Sequence, residues 1–162
     1  ADMGWTAGGT GGTTQWEEGT PNTSNEYVVI QDAASGTDCW GPDLYDDYKV
    51  NTDITLTSPV ISLSNAASAV VTWQERVDID NDEIFVPGVD DGYLYVIDLD
   101  APGTTQVHHA QGEDTGAWGE SSAIGPGTAM GHAIQLQWRL VDDGTASVDW
   151  AGWYIDDVRV GE

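Results

Sequence analysis

The chain has 162 residues, enough for one domain with a sizeable core, and carries 28 acidic side chains against four basic ones, a formal net charge of −24. Lys49, Arg76, Arg139 and Arg159 are its strong bases, too few to follow a row of phosphates or dock on an anionic bilayer, so nucleic acid and acidic membrane surfaces are excluded as partners. An apolar share of 40% with eight tryptophans excludes a disordered chain, and no apolar stretch approaches the ~20 residues that insert across a membrane.

Taken in chain order, the elements read as short strands. Residues 1–15 are glycine-rich and read as a linker or flexible segment ahead of a single domain over residues 16–162. The opening Ala1-Asp2-Met3-Gly4-Trp5 has neither the charged nor the apolar region of a signal peptide. Glu26–Gln31 is the first strand candidate, with Tyr27, Val28, Val29 and Ile30. Asp53–Thr57 and Val60–Leu63 flank Pro59, which has no N–H to give and predicts an edge or a bend. Ser68–Gln74 carries Val70, Val71 and Trp73. Gly92–Asp98 alternates, setting Tyr93, Tyr95 and Ile97 on one side against Leu94 and Val96 on the other.

Thr105–His109 is a weaker candidate, and residues 110–130, rich in Gly, Ser and Ala, read as a long loop holding Trp118. Ala133–Leu140 alternates Ile134, Leu136, Trp138 and Leu140 with Gln135, Gln137 and Arg139; Trp153–Val160 closes the chain. Gly, Thr, Asp and Ser fall too densely for a helix of ten residues. The expected fold is all-β, an antiparallel β-sandwich or jelly roll. Cys39 has no second cysteine to pair with and reads as a small core residue.

The last strand holds two adjacent carboxylates, Asp156 and Asp157. Side chains alternate across a strand, so one of them faces inward unless a bulge turns it away. A buried carboxylate needs a partner, and in a chain this poor in bases the expected partner is a cation. First and last strands of a sandwich often lie side by side. Glu17 and Glu18 can then converge with Asp156 and Asp157 on one Ca2+, backbone carbonyls completing its oxygen shell. A solvated turn plus a hydrogen-bonded Asp pair is the plainer alternative. Asp78-Ile79-Asp80-Asn81-Asp82-Glu83, followed by Val89-Asp90-Asp91-Gly92, places oxygen donors at alternate positions. Asp78, Asp80 and Asp82 are therefore candidates for a second cation, although the helix–loop–helix calcium signature is not met. Asp142-Asp143-Gly144 reads most simply as a turn.

Trp73, Trp138 and Trp153 sit in apolar strands and are expected in the core. Trp5, Trp118 and Trp150 lie near glycine-rich or polar loops and are the candidates for stacking on a sugar ring; packing beneath the loops is the alternative. Catalytic patterns are poor: the sequence has no nucleophile elbow, zinc-protease helix motif, phosphate loop or dinucleotide fingerprint. His108 and His109 are adjacent, so on a strand they point to opposite faces.

The ordered set Trp16-Glu17-Glu18-Gly19, Cys39-Trp40-Gly41-Pro42-Asp43, Leu56-Thr57-Ser58-Pro59, Leu136-Gln137-Trp138-Arg139 and Gly152-Trp153-Tyr154-Ile155-Asp156-Asp157-Val158 resembles the jelly-roll accessory domains, similar to MAM domains, of secreted bacterial metallopeptidases of the immune inhibitor A type. The resemblance spans roughly residues 16–160. It implies an extracellular, non-catalytic module attached to a larger enzyme or surface protein. It also implies a cation between the opening Glu17 or Glu18 and the closing Asp156 or Asp157. The expected function is a calcium-stabilised accessory module for attachment or substrate presentation. The rivals are a carbohydrate-binding module that takes polysaccharide through exposed Trp, and a salt-adapted structural surface domain.

Overall fold

The computed structural model describes residues 3–10, 12–81, 90–145 and 150–162. In chain order the strands are β1 (Thr6–Thr10), β2 (Glu17–Gly19), β3 (Thr23–Ser24), β4 (Val29–Ile30), β5 (Cys39–Gly41), β6 (Asp53–Thr57), β7 (Ile61–Ser62), β8 (Val70–Asp78), β9 (Asp91–Asp98), β10 (Gly103–Ala110), β11 (Gly119–Ile124), β12 (Ala133–Val141) and β13 (Gly152–Gly161). A single 3-10 turn, Gly127–Ala129, is the helical element among the described residues.

Two antiparallel sheets pack as a sandwich. The first runs β1-β6-β12-β9-β10, with β7 also on β12; the second runs β11-β8-β13-β5-β2. β7 continues the position of β6 along β12 after the break at Ser58-Pro59, as the proline predicts. The strands with clean alternation are the central ones. Ile54 and Leu56, Leu94 and Val96, and Ile134, Leu136, Trp138 and Leu140 point inward to meet Val71, Trp73, Trp153 and Ile155 of the second sheet.

A second, smaller core lies on the far side of the second sheet. There Tyr154 and Ala151 meet Val28 and Ile30 of the β3–β4 ribbon, with Cys39 and Leu44. This two-sided cover explains why Trp153, Tyr154 and Ile155 are buried in succession: odd positions fill one core and Tyr154 the other.

Two segments differ from the sequence expectation. The glycine-rich opening contributes an edge strand, since Thr6–Thr10 pairs residue by residue with β6, and Trp5 packs on Trp40 and Trp138 with ring centroids 6.1 and 5.7 Å apart. The expected long loop over residues 110–130 contains β11, which pairs with β8 from Gly119↔Glu75 to Ile124↔Val70. Both are sheet edges with mostly exposed side chains, so neither needs the apolar alternation that marks an inner strand.

Candidate functional site

Two places on the molecule gather chemistry. The first is the outward face of the first sheet. The inward residues of β9 and β12 leave Tyr93 and Tyr95, and Gln135, Gln137 and Arg139, on the other face. Register places Arg139 opposite Tyr93 and Gln137 opposite Tyr95, with His109 of β10 on the other flank of Tyr93. The Tyr93 and Tyr95 rings lie 5.8 Å apart, and the His109 imidazole stacks on Tyr93 at 5.3 Å and 21°. A β-bulge between Gln106 and His108 sets this geometry: it leaves His109 outward and His108 inward, against Trp73 and Trp153.

A polar rim surrounds the rings. Arg139 forms a two-pronged pair with Asp53, both contacts at 2.7 Å, and this pairing holds the Asp53 carboxyl below its ordinary range. His109 Nε2 lies 2.6 Å from Asp91 Oδ1, Gln137 donates to Thr57 Oγ1 at 3.0 Å, and Gln135 donates to the Ser58 carbonyl at 2.9 Å. These bonds fix the rim, while His109 is exposed and Tyr93 and Tyr95 are half-buried.

The second place is one end of the sandwich. Asp90, just before β9, and Asp142 and Asp143, just after β12, each offer a carboxylate oxygen within 4.8 Å of the others. These three could share a metal ion. Asp90 is 1% exposed and Asp142 7%. Asp90 Oδ2 accepts from the Tyr48 hydroxyl at 2.5 Å and its Oδ1 from the Asp143 N–H at 2.9 Å. Burial, opposed by those bonds and reinforced by the Asp142 and Asp143 charges, pushes the Asp90 carboxyl up to about 6. The residues after β12 do form the expected turn: Asp142 Oδ1 accepts from the N–H groups of Asn51 at 2.6 Å and Gly144 at 2.8 Å, and Gly144 takes φ +87°.

The other candidates lie elsewhere. β5 separates β2 from β13, so the opening and closing strands are not neighbours. Glu17 and Glu18 are exposed on β2. Asp156 Oδ2 accepts from the Ser35 N–H and Asp157 Oδ1 from the Ser35 hydroxyl, each at 3.0 Å. A bulge between Asp156 and Arg159, with Asp157 at φ +49°, turns both carboxylates away from the core. Among the described residues the acidic trio within reach of one ion is Asp90, Asp142 and Asp143, and includes none of these four.

Asp78 is buried, and both its oxygens serve backbone N–H groups: Asp114 at 3.3 Å and Ala151 at 2.7 Å. Asp80 is buried beside Tyr48, whose hydroxyl accepts from its N–H at 3.2 Å. Asp82 lies outside the described residues. Trp5, Trp118 and Trp150 are half-buried, as Tyr93 and Tyr95 are. Trp5 and Trp150 pack on the main core, and Trp118 packs on the smaller one while its Nε1 donates to the Asp32 carbonyl at 3.0 Å. The residues that gather instead were visible only in part. The alternation of β9 puts Tyr93 and Tyr95 on one side, but the side that faces outward is set by β12, distant in sequence.

No protein-family model and no curated protein matches the chain. Solved structures do. The K1 cleaved adhesin domain of Lys-gingipain from Porphyromonas gingivalis is 15% identical with a TM-score of 0.58, covering 97% of this chain and 89% of that one. The CBM22-1 xylan-binding domain from Paenibacillus barcinonensis is 13% identical with a TM-score of 0.53, covering 97% and 84%. A structure from the carbohydrate-binding modules of the β-sandwich superfamily is 12% identical with a TM-score of 0.55, covering 99% and 58%. At these identities the likeness establishes a shared β-sandwich fold.

Proposed function

We propose that this chain is a non-catalytic carbohydrate-binding module that works outside the cell as part of a larger protein, taking a neutral polysaccharide across the outward face of its first sheet. The observation that carries this reading is the row of an exposed His109 and half-buried Tyr93 and Tyr95 on the outward sheet face, rimmed by Arg139, Gln137, Asp53 and Asp91. A pyranose ring has an apolar face that rests on an aromatic ring and hydroxyls that meet amides, carboxylates and guanidinium at its edge. The rim is held by its own hydrogen bonds before any sugar arrives, which lowers the cost of binding. Likeness to a xylan-binding domain and to β-sandwich carbohydrate-binding modules supports the reading. The net charge of −24 argues for a neutral chain over a uronic or sulfated one, because the field of the whole molecule repels anions. Binding would hold the parent protein on its substrate, which is the attachment role expected from the sequence.

A glycan array followed by affinity electrophoresis in xylan and other neutral polysaccharides tests this. Tyr93→Ala and Tyr95→Ala should each weaken retardation about three- to tenfold, the worth of one aromatic stack, while Trp118→Ala leaves it unchanged. Retardation lost in Trp118→Ala or Trp150→Ala and kept in both Tyr variants would move the site to the loops and overturn the assignment to this face.

A further inference from the structure

We infer that Asp90, Asp142 and Asp143 form a calcium site that clamps the end of the sandwich, independently of any sugar bound on the sheet face. Three carboxylates share the place, and among the described residues no lysine or arginine pairs with them. The chain's four strong bases are engaged elsewhere: Lys49 with Asp46, Arg76 with Asp114, Arg139 with Asp53, and Arg159 beside Asp157. Asp142 adds a second, separate sign. Its Oδ1 is used twice by backbone N–H groups, while its Oδ2 is sealed from water with no hydrogen-bond partner. A buried carboxylate oxygen without a donor is costly, and a cation beside it removes that cost.

The donor set selects the ion. All three side chains offer oxygen, with no imidazole or thiolate in the trio, which suits a hard cation over zinc or copper. Calcium tolerates irregular coordination and fills its shell with carbonyls and water, whereas magnesium demands a near-ideal octahedron. The clamp has a structural meaning. Asp90 leads into β9, Asp142 and Asp143 follow β12, and Tyr48 and Asn51 belong to the loop before β6. The Asp90 N–H also donates to the Asp80 carbonyl beyond β8, at 3.0 Å. One ion there ties the ends of both sheets.

Thermal melting of the full chain with calcium and with chelator, alongside terbium luminescence, tests the site. Tyr48, in contact with Asp90, is the sensitiser. The wild type should melt about 5–10 °C higher at a hundredfold excess of calcium over its dissociation constant, and should sensitise terbium emission that calcium competes away. Asp142→Asn and the exposed Asp143→Asn should each weaken calcium binding about tenfold or more, whereas the double variant Asp156→Asn, Asp157→Asn binds as the wild type does. Absence of both the shift and the emission in the wild type overturns the inference. So does wild-type affinity in Asp143→Asn, a surface change that leaves the chain able to fold even if Asp142→Asn does not.

Discussion

His132 and His108 show how neighbours set the behaviour of single side chains. His132 Nδ1 lies 2.7 Å from Asp98 Oδ2, and this bond holds its imidazole above the ordinary value of 6.5. The pair therefore adds stability that is complete below that value and fades as pH rises through the elevated one. His108 lies inward between Trp73 and Trp153, and burial pushes it below 6.5, only partly offset by Glu75. Its neutral form is preferred in the fold, so folding loses stability as pH drops below 6.5. NMR titration of the imidazole signals should show one resonance above 6.5 that vanishes in His132→Gln and one below it that vanishes in His108→Gln; the reverse assignment would contradict the packing. That the two adjacent histidines face opposite ways was legible from the strand alone. Which of them is buried was not, because the bulge beside His108 is set by pairing with β9.

At the scale of elements, β13 carries the most consequence. It lies at the centre of its sheet, with both faces covered. Gly152 starts it at φ +103°, and a Cβ there would sit 2.4 Å from Pro42 Cγ. Left-handed strain and the clash act together, so Gly152→Ala should cost about 2–4 kcal/mol in urea unfolding. A loss under about 0.5 kcal/mol, the size of a neutral surface change, would mean that the entry to β13 is not held against Pro42. The inner strands β6, β9 and β12 were legible because each alternates apolar and polar positions, and β8 and β13 because they are rich in β-branched and aromatic residues. β1, β2, β5 and β11 were not: they are short or edge strands, and pairing with a neighbour supplies what side-chain pattern does not. The acidic pair of β13 shows the same limit. Its composition announced a special position, and the strand alone could not show the bulge or the Ser35 hydrogen bonds that both carboxylates receive.

On the scale of the whole molecule, the charge of −24 spreads a field that repels anions and opposes compaction. Salt shortens that repulsion to about 8 Å at physiological ionic strength, and a cation at the sandwich end would relieve it where Asp90, Asp142 and Asp143 meet. The open sheet face carries one of the four strong bases. Arg139 answers Asp53 there, and His109 sits against Asp91. An aromatic surface whose one guanidinium is paired with Asp53, on a strongly acidic body, is what the proposed sugar platform rests on. The most direct measurement is amide chemical-shift mapping during titration with a soluble neutral oligosaccharide, for which xylo-oligosaccharides are the first choice. The account predicts saturable shifts confined to Tyr93, Tyr95, Gln106, His109, Gln137 and Arg139 and their neighbours on β9, β10 and β12. Shifts centred on Trp118 or Trp150, or none with any neutral glycan that the array retains, would contradict it.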